Sequence, residues 1–250
     1  MSVSGAGPRR AIVTGAASGL GRACVEALRA RSYAVAALDV EPVEVEAELV
    51  FRCDVSDLAA VATTVAQAAS ALGGVDAAAH CAGIHQDLVA PLHEVKPETW
   101  ERTIAVNLTG SFAFARAVLP ELVKTRGALV LVASIAVTQP RPGAAAYAAS
   151  KAGVATLARA VALEYADQGV RVNSVSPGWI DTAMAAPMLE RLSLRGRIEQ
   201  SIPVGRVAAP EEVAAAIAWL LSSESAYVTG ADLVIDGGLA VSAFAGKRGQ

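Results

Sequence analysis

The chain has 250 residues, 54% of them hydrophobic, with 21 basic and 24 acidic residues and a net charge of -3. That length and apolar content suit one large domain, 1–250, with a sizeable core. Neither sign of charge forms a long block, which gives no footprint for nucleic acid. No apolar run approaches the ~18 residues of a membrane span. The opening MSVSGAGPRR has no apolar stretch of a leader, and residues 1–8 read as a loose tail. Cys24, Cys53 and Cys81 are odd in number and widely spaced, as expected of reduced thiols in the cytoplasm. None of them has metal-ligand spacing with His80, His85 or His93.

The segment RRAIVTGAASGLGRACVEALRARSYAVAALDV reads as a short apolar strand, a glycine-rich turn, a helix, and a second strand ending at Asp39. Gly15, Gly19 and Gly21 let the backbone turn tightly and approach a phosphate, while the first amides of the helix offer donors. Their spacing is G-x-x-x-G-x-G, unlike the commoner G-x-G-x-x-G, and the signal gains force from its place between strand and helix. A carboxylate at Asp39 accepts hydrogen bonds from a ribose 2′-hydroxyl and repels a 2′-phosphate, so NAD is expected over NADP. Glu41 adds to that repulsion, and no lysine or arginine stands nearby in sequence to offset it.

Only EPVEVEAELVFR separates Asp39 from CDVSD, too short for a crossover helix, so an extended loop and a short third strand are expected. Asp54 is a candidate partner of an adenine amino group, whereas Ser56 or Asp57 suits the cap of a helix running from about Leu58 to Leu72. The strand AAAHCAG follows, with His80 as a core or strand-end residue. Gly83 allows close passage of a cofactor, and His85 reads as a surface residue rather than a pocket one. PETWERTIAVNLTGSFAFARAVLPELVK reads as a single long helix with Asn107 among apolar residues in its middle. A buried asparagine there must find partners or cost ~1 to 3 kcal/mol. This helix and AGVATLARAVALEYA are apolar on more than one face, which calls for cover by the sheet and by a second subunit.

ALVLVAS reads as a buried strand that leaves the Ser134 hydroxyl at its carboxyl end, where open α/β sheets place their ligands. In YAASK, Tyr147 and Lys151 are i and i+4 neighbours on a helix. At ~4 Å and an effective dielectric of ~20, a cation and a phenolate attract by ~4 kcal/mol, enough to bring a phenol toward neutral titration. VRVNSVSPGWIDT repeats strand then turn, with Thr182 placed to meet a nicotinamide amide. Residues from about 182 to 202 read as a substrate lid, with Met184, Met188 and Leu192 at four-residue spacing and Arg191, Arg195 and Arg197 among them. Ile135, Val137, Gln139, Arg141, Trp179, Met184 and Met188 are candidate pocket residues.

Taken together, TGAASGLG, CDVSD, YAASK, SPGWIDT and VTGADLVIDGG resemble the classical short-chain dehydrogenase/reductase family over nearly the whole chain. The resemblance implies a Rossmann-type, doubly wound sheet of about seven parallel strands with helices on both faces. It implies that Gly15, Ser18, Gly19, Leu20, Gly21, Asp39, Asp54, Val55, Ala82, Gly83, Tyr147, Lys151, Pro177, Gly178, Ile180 and Thr182 hold NAD. It also implies catalytic roles: Tyr147 as general acid/base, Lys151 lowering its pKa and holding the ribose, Ser134 polarising the substrate oxygen, and Asn107 holding a relay water. The expected reaction interconverts a secondary alcohol and a ketone. A 3-oxoacyl-thioester reductase and a non-catalytic NAD-binding sensor or scaffold are the alternatives. A homotetramer or homodimer acting on a small molecule is implied as well. One departure stands out: the family's Asn-Ala-Gly after the fourth strand is Cys81-Ala82-Gly83 here.

Overall fold

A computed structural model describes residues 8–85 and 90–244. The expected tail, apart from Pro8, lies outside the described residues. Seven strands form one parallel sheet in the order β3-β2-β1-β4-β5-β6-β7. They are β1 (Arg9–Thr14), β2 (Tyr33–Asp39), β3 (Leu49–Arg52), β4 (Ala77–His80), β5 (Ala128–Val132), β6 (Arg171–Pro177) and β7 (Asp232–Ile235). The order reverses between β1 and β4, which opens a crevice at their carboxyl ends. Every residue of β4 and β5 is buried, because parallel strands need helices on both faces.

The helices are α1 (Gly19–Arg29), α2 (Leu58–Leu72), α3 (Pro97–Ile104), α4 (Gly110–Thr125), α5 (Ala145–Tyr165), α6 (Ala186–Leu189), α7 (Leu192–Ser201) and α8 (Pro210–Leu221). On one face, Phe114, Leu122, Val154 and Ala158 from α4 and α5 join α2 against the sheet. On the other, Val25 and Leu28 of α1 meet Val213 and Ile217 of α8. No helix among the described residues is long and apolar enough to cross a membrane. The stretch between Asp39 and β3 has no helix, as its length required. Asp57 caps α2 by accepting from the amides of Ala59 and Ala60, each at 3.0 Å.

The single long helix expected from residue 97 onward is interrupted. A π-turn, Ala105–Thr109, separates α3 from α4 and carries Asn107. One extra residue in a turn redirects a side chain without ending the helix. Directly after it, Gly110 lies against Val55: a Cβ added there would stand 3.0 Å from Val55 Cγ2.

His80, as expected, is a buried strand-end residue. Its Nδ1 pairs with Thr14 Oγ1 at 2.8 Å, its ring stacks on Phe114, and Nε2 has no hydrogen-bond partner among the described residues. Burial, and then the charge of Lys151, lower its pKa to about 3. The unfolded chain binds this proton near the ordinary histidine value and the folded one does not. Stability carried by the neutral ring is therefore present at neutral pH and lost as pH falls below about 6.5. We expect wild-type stability to drop by about 2 kcal/mol more than that of His80→Leu between about pH 7 and pH 5 in urea unfolding; parallel curves would contradict this assignment.

Candidate active site

The site is built at the carboxyl ends of β1, β4, β5 and β6. After β1 the chain turns through Gly15 at φ +69°, where an added Cβ would meet the Ala82 nitrogen at 2.6 Å. A Cβ on Gly21 would fall 1.9 Å from the Gly15 carbonyl oxygen, so the first turn of α1 rests directly on the loop. Close backbone approach with amides facing outward at a helix start suits a phosphate group. Ser18 precedes the helix with no side-chain capping bond, and Leu20 is buried beneath the loop. Across the crevice, the methyl of Thr182 stands 3.1 Å from where a Gly19 Cβ would be, so the segment after β6 closes over the glycine turn.

Asp39 ends β2 and braces the turn: Oδ2 accepts from the Ala17 amide at 2.9 Å and Oδ1 from that of Glu41 at 3.0 Å. The fold corrects the view that no basic residue is near. Parallel pairing sets Arg52 opposite Asp39, and the Arg52 guanidinium donates to the Val40 carbonyl. Asp54 is held by its own turn, with Oδ1 accepting from Ser56 N and Oγ, while Oδ2 lies 3.5 Å from the Arg102 guanidinium; these contacts, the Ser56 hydroxyl first, lower its pKa. Val55 packs on Gly110. Pro177 closes β6, Gly178 leaves no room for a Cβ beside Asp236, and Ile180 forms an isolated bridge with Ala208.

Tyr147 and Lys151 lie on the first turns of α5, with Lys151 Nζ 5.9 Å from the centre of the Tyr147 ring. Lys151 is 4% exposed and donates to the Val132 carbonyl at 2.8 Å, tying α5 to the end of β5. Burial lowers its pKa to about 8, partly offset by the nearby Cys81. Gly83 completes this floor: a Cβ there would stand 3.2 Å from Lys151 Nζ and 3.3 Å from Asn107 Oδ1. Ser134, just past β5, is buried, and its Oγ accepts from the Ala136 amide at 3.1 Å.

Asn107 is fully satisfied within the protein. Its Oδ1 accepts from Ile84 N at 2.8 Å, and its Nδ2 donates to Ile84 O and to Ser150 Oγ, both at 3.0 Å. Ser150 in turn donates to the Tyr147 carbonyl at 2.7 Å. The π-turn, the loop after β4 and the start of α5 are thus fastened together through one amide. Ser150 did not stand out in the sequence, because a serine on a helix has many uses.

Several expectations shift. His85 is half-buried, and its ring meets that of Tyr147 edge-on with centroids 4.5 Å apart. The Met184–Met188–Leu192 face does not form: Leu192 is 85% exposed, whereas Leu189, Ile198 and Ile202 pack with Ile135, Trp179 and Leu239. Arg195 is paired at 3.0 Å with both Asp181 and Glu199. Val137 packs into the core, and Gln139 donates to the carbonyls of Leu239 and Ala240. Cys81, in place of an asparagine, faces Cys24 across 3.7 Å between sulfurs.

The tight glycine turn, the strand-end carboxylate and the buried lysine fit a nicotinamide dinucleotide. Residues 15–240 match the family model described as enoyl-(acyl carrier protein) reductase. The chain is 38% identical over 242 residues to 3beta-hydroxysteroid dehydrogenase 1 of Eggerthella lenta, covering 91% of this chain and 92% of that protein. It is 37% identical to the 3-oxoacyl-[acyl-carrier-protein] reductase FabG of Thermotoga maritima, over 92% of this chain and 97% of that one. Among solved structures, the aldohexose dehydrogenase of Thermoplasma acidophilum superposes with a TM-score of 0.91 at 27% identity, over 97% and 98% of the two chains. Motifs, sheet order and relatives agree that the chain belongs to the short-chain dehydrogenase/reductase family of oxidoreductases.

Proposed function

We propose that this protein is an NAD(H)-dependent dehydrogenase interconverting a secondary alcohol and a ketone. The observation that carries the reading is the buried ammonium of Lys151, fixed by the Val132 carbonyl beside Tyr147, Gly83 and Ser134. Bound NAD supplies the hydride acceptor, and the protein supplies orientation and proton management. Tyr147 takes the proton of the alcohol, or returns it to the ketone. A cation beside a phenol favours its ionised form, which is the role given to Lys151 together with a hold on the nicotinamide ribose. Ser134 steadies the substrate oxygen. Asn107 acts from the π-turn, and since its side-chain amide is engaged with Ile84 and Ser150, we assign it the positioning of α5, with a relay water sharing its backbone carbonyl with the Ser111 hydroxyl.

Asp39 supports NAD over NADP. Its carboxylate is fixed by two backbone amides at the end of β2, where a 2′-phosphate would meet a charge unable to swing away. Arg52 alongside weakens this repulsion without removing it, its guanidinium being drawn to Val40. The same carboxylate argues against the thioester-reductase alternative suggested by the FabG relative, because reductive synthesis draws on NADPH. A sensor or scaffold would have no need of Tyr147, Lys151, Ser134 and Asn107 together.

The cofactor positions Ser18, Gly19, Ala82, Pro177, Gly178, Ile180 and Thr182 line the two walls of the crevice in this reading, and residues 182–202 cover the substrate. Free thiols at Cys24, Cys53 and Cys81 support a cytoplasmic setting. Trp100, Phe112 and Leu163, at 42%, 44% and 84% exposure on α3, α4 and α5, support burial of this side in a homotetramer or homodimer.

Tyr147→Phe is expected to lower kcat by about 10²- to 10⁴-fold while NADH still binds, as read by the fluorescence of bound NADH. Retained turnover would remove the general acid/base assignment. Asp39→Ser is expected to raise the kcat/KM ratio of NADP over NAD at least about tenfold, since a fixed repulsive charge is lost; an unchanged ratio would show that selection lies elsewhere.

A further inference from the structure

Beyond the hydroxyl-handling residues, the loop after β5 carries a charge with no counter-charge among the described residues. Arg141 lies in the loop between Ser134 and Tyr147, its guanidinium carbon 3.9 Å from the centre of the Trp179 ring. Among the described residues it makes no ion pair and no hydrogen bond; the ring contact is its whole partnership. Although the side chain reaches solvent, enough protein surrounds the guanidinium for desolvation to lower its pKa. Among the described residues, two carboxylates on this side are already taken. Asp181 pairs with Arg195, and Asp236 accepts from the amides of Gly238 and Ala240.

The surroundings are arranged rather than loose. Gln139, two residues before Arg141, is anchored to the carbonyls of Leu239 and Ala240. Trp179 belongs to the apolar cluster of Ile135, Leu189, Ile198, Ile202 and Leu239, and Ile135 is the residue after Ser134. The indole Nε1 is buried with no hydrogen-bond partner among the described residues. An apolar wall therefore runs from the Ser134 hydroxyl to Trp179 and ends at Arg141. A guanidinium held over an aromatic ring takes no hydrogen bond from it and keeps its N–H donors available, in the fork that matches a carboxylate.

We infer that Arg141, held over the Trp179 ring, is the specificity-determining residue of the substrate pocket and binds the carboxylate of an apolar hydroxy or oxo acid. The alcohol carbon sits at Tyr147 and Ser134, and the acid group reaches outward to the guanidinium along the Ile135–Trp179 wall. Placing the alcohol carbon rests on the dehydrogenase reading; the carboxylate site itself does not.

The test is calorimetric, on the full protein alone and with NADH, using benzoate and 3-phenylpropionate against benzamide and 3-phenylpropionamide. A charge-assisted fork predicts that at least one acid binds about tenfold or more tightly than its amide. That preference should vanish in Arg141→Met and survive in part in Arg141→Lys. Equal binding of acid and amide, no binding of either acid at millimolar concentration, or a preference that persists in Arg141→Met overturns the inference. A protein that prefers the acids but reduces NAD with no alcohol would sink the dehydrogenase reading and leave the carboxylate site standing.

Discussion

Much of this structure follows from placing one ammonium group out of water. Removing a lysine charge from solvent costs several kcal/mol even after relaxation, and the cost appears as the lowered pKa of Lys151. It is tolerated because the Val132 carbonyl meets Nζ at 2.8 Å. That bond exists only if α5 packs tightly on β5, which the fully buried Val154, Ala155 and Ala158 secure. Groups perturbed in this way gather at functional sites, and the neighbour here is the Tyr147 ring, 5.9 Å from Nζ, to which we assign the proton transfer.

Small residues let the remaining parts close around that charge. The β4 strand is three alanines and a histidine, Gly83 leaves the space in front of Lys151 Nζ and Asn107 Oδ1, and Gly15 and Gly21 let the turn after β1 sit against β4 and α1. At each of these points a side chain would collide with backbone or with the site. The crevice is thus a product of absent Cβ atoms as much as of present functional groups. On its far wall the chain uses large residues instead, Trp179, Ile135 and Leu239, packed in one apolar cluster, and it is there that we propose the substrate binds.

The parts legible in sequence are those with short-range patterns. The strands and the helices that follow most of them, the bounds of α2, Asp39 at the end of β2, and the four-residue step from Tyr147 to Lys151 all depend on local periodicity. What was hidden depends on register and distance. Arg52 meets Asp39 only because β3 pairs with β2, and Cys24 meets Cys81 only through the packing of α1 beside β4. The π-turn at Asn107 escaped because a helix apolar on several faces gives no phase against which one extra residue would show. Leu192 misled because the break between α6 and α7 resets the helical period, so even spacing in sequence did not become one face. Arg141 is one candidate pocket residue among seven, and only its contact with Trp179 and its lack of a counter-charge among the described residues set it apart.

The most direct test of the account is a crystal structure of the protein with NAD. The account predicts the pyrophosphate on the Gly15–Gly21 turn and Lys151 Nζ within roughly 3 Å of a hydroxyl of the nicotinamide ribose, with the Tyr147 hydroxyl facing the ring. A dinucleotide bound elsewhere, or one whose nicotinamide end lies out of reach of both side chains, would contradict it.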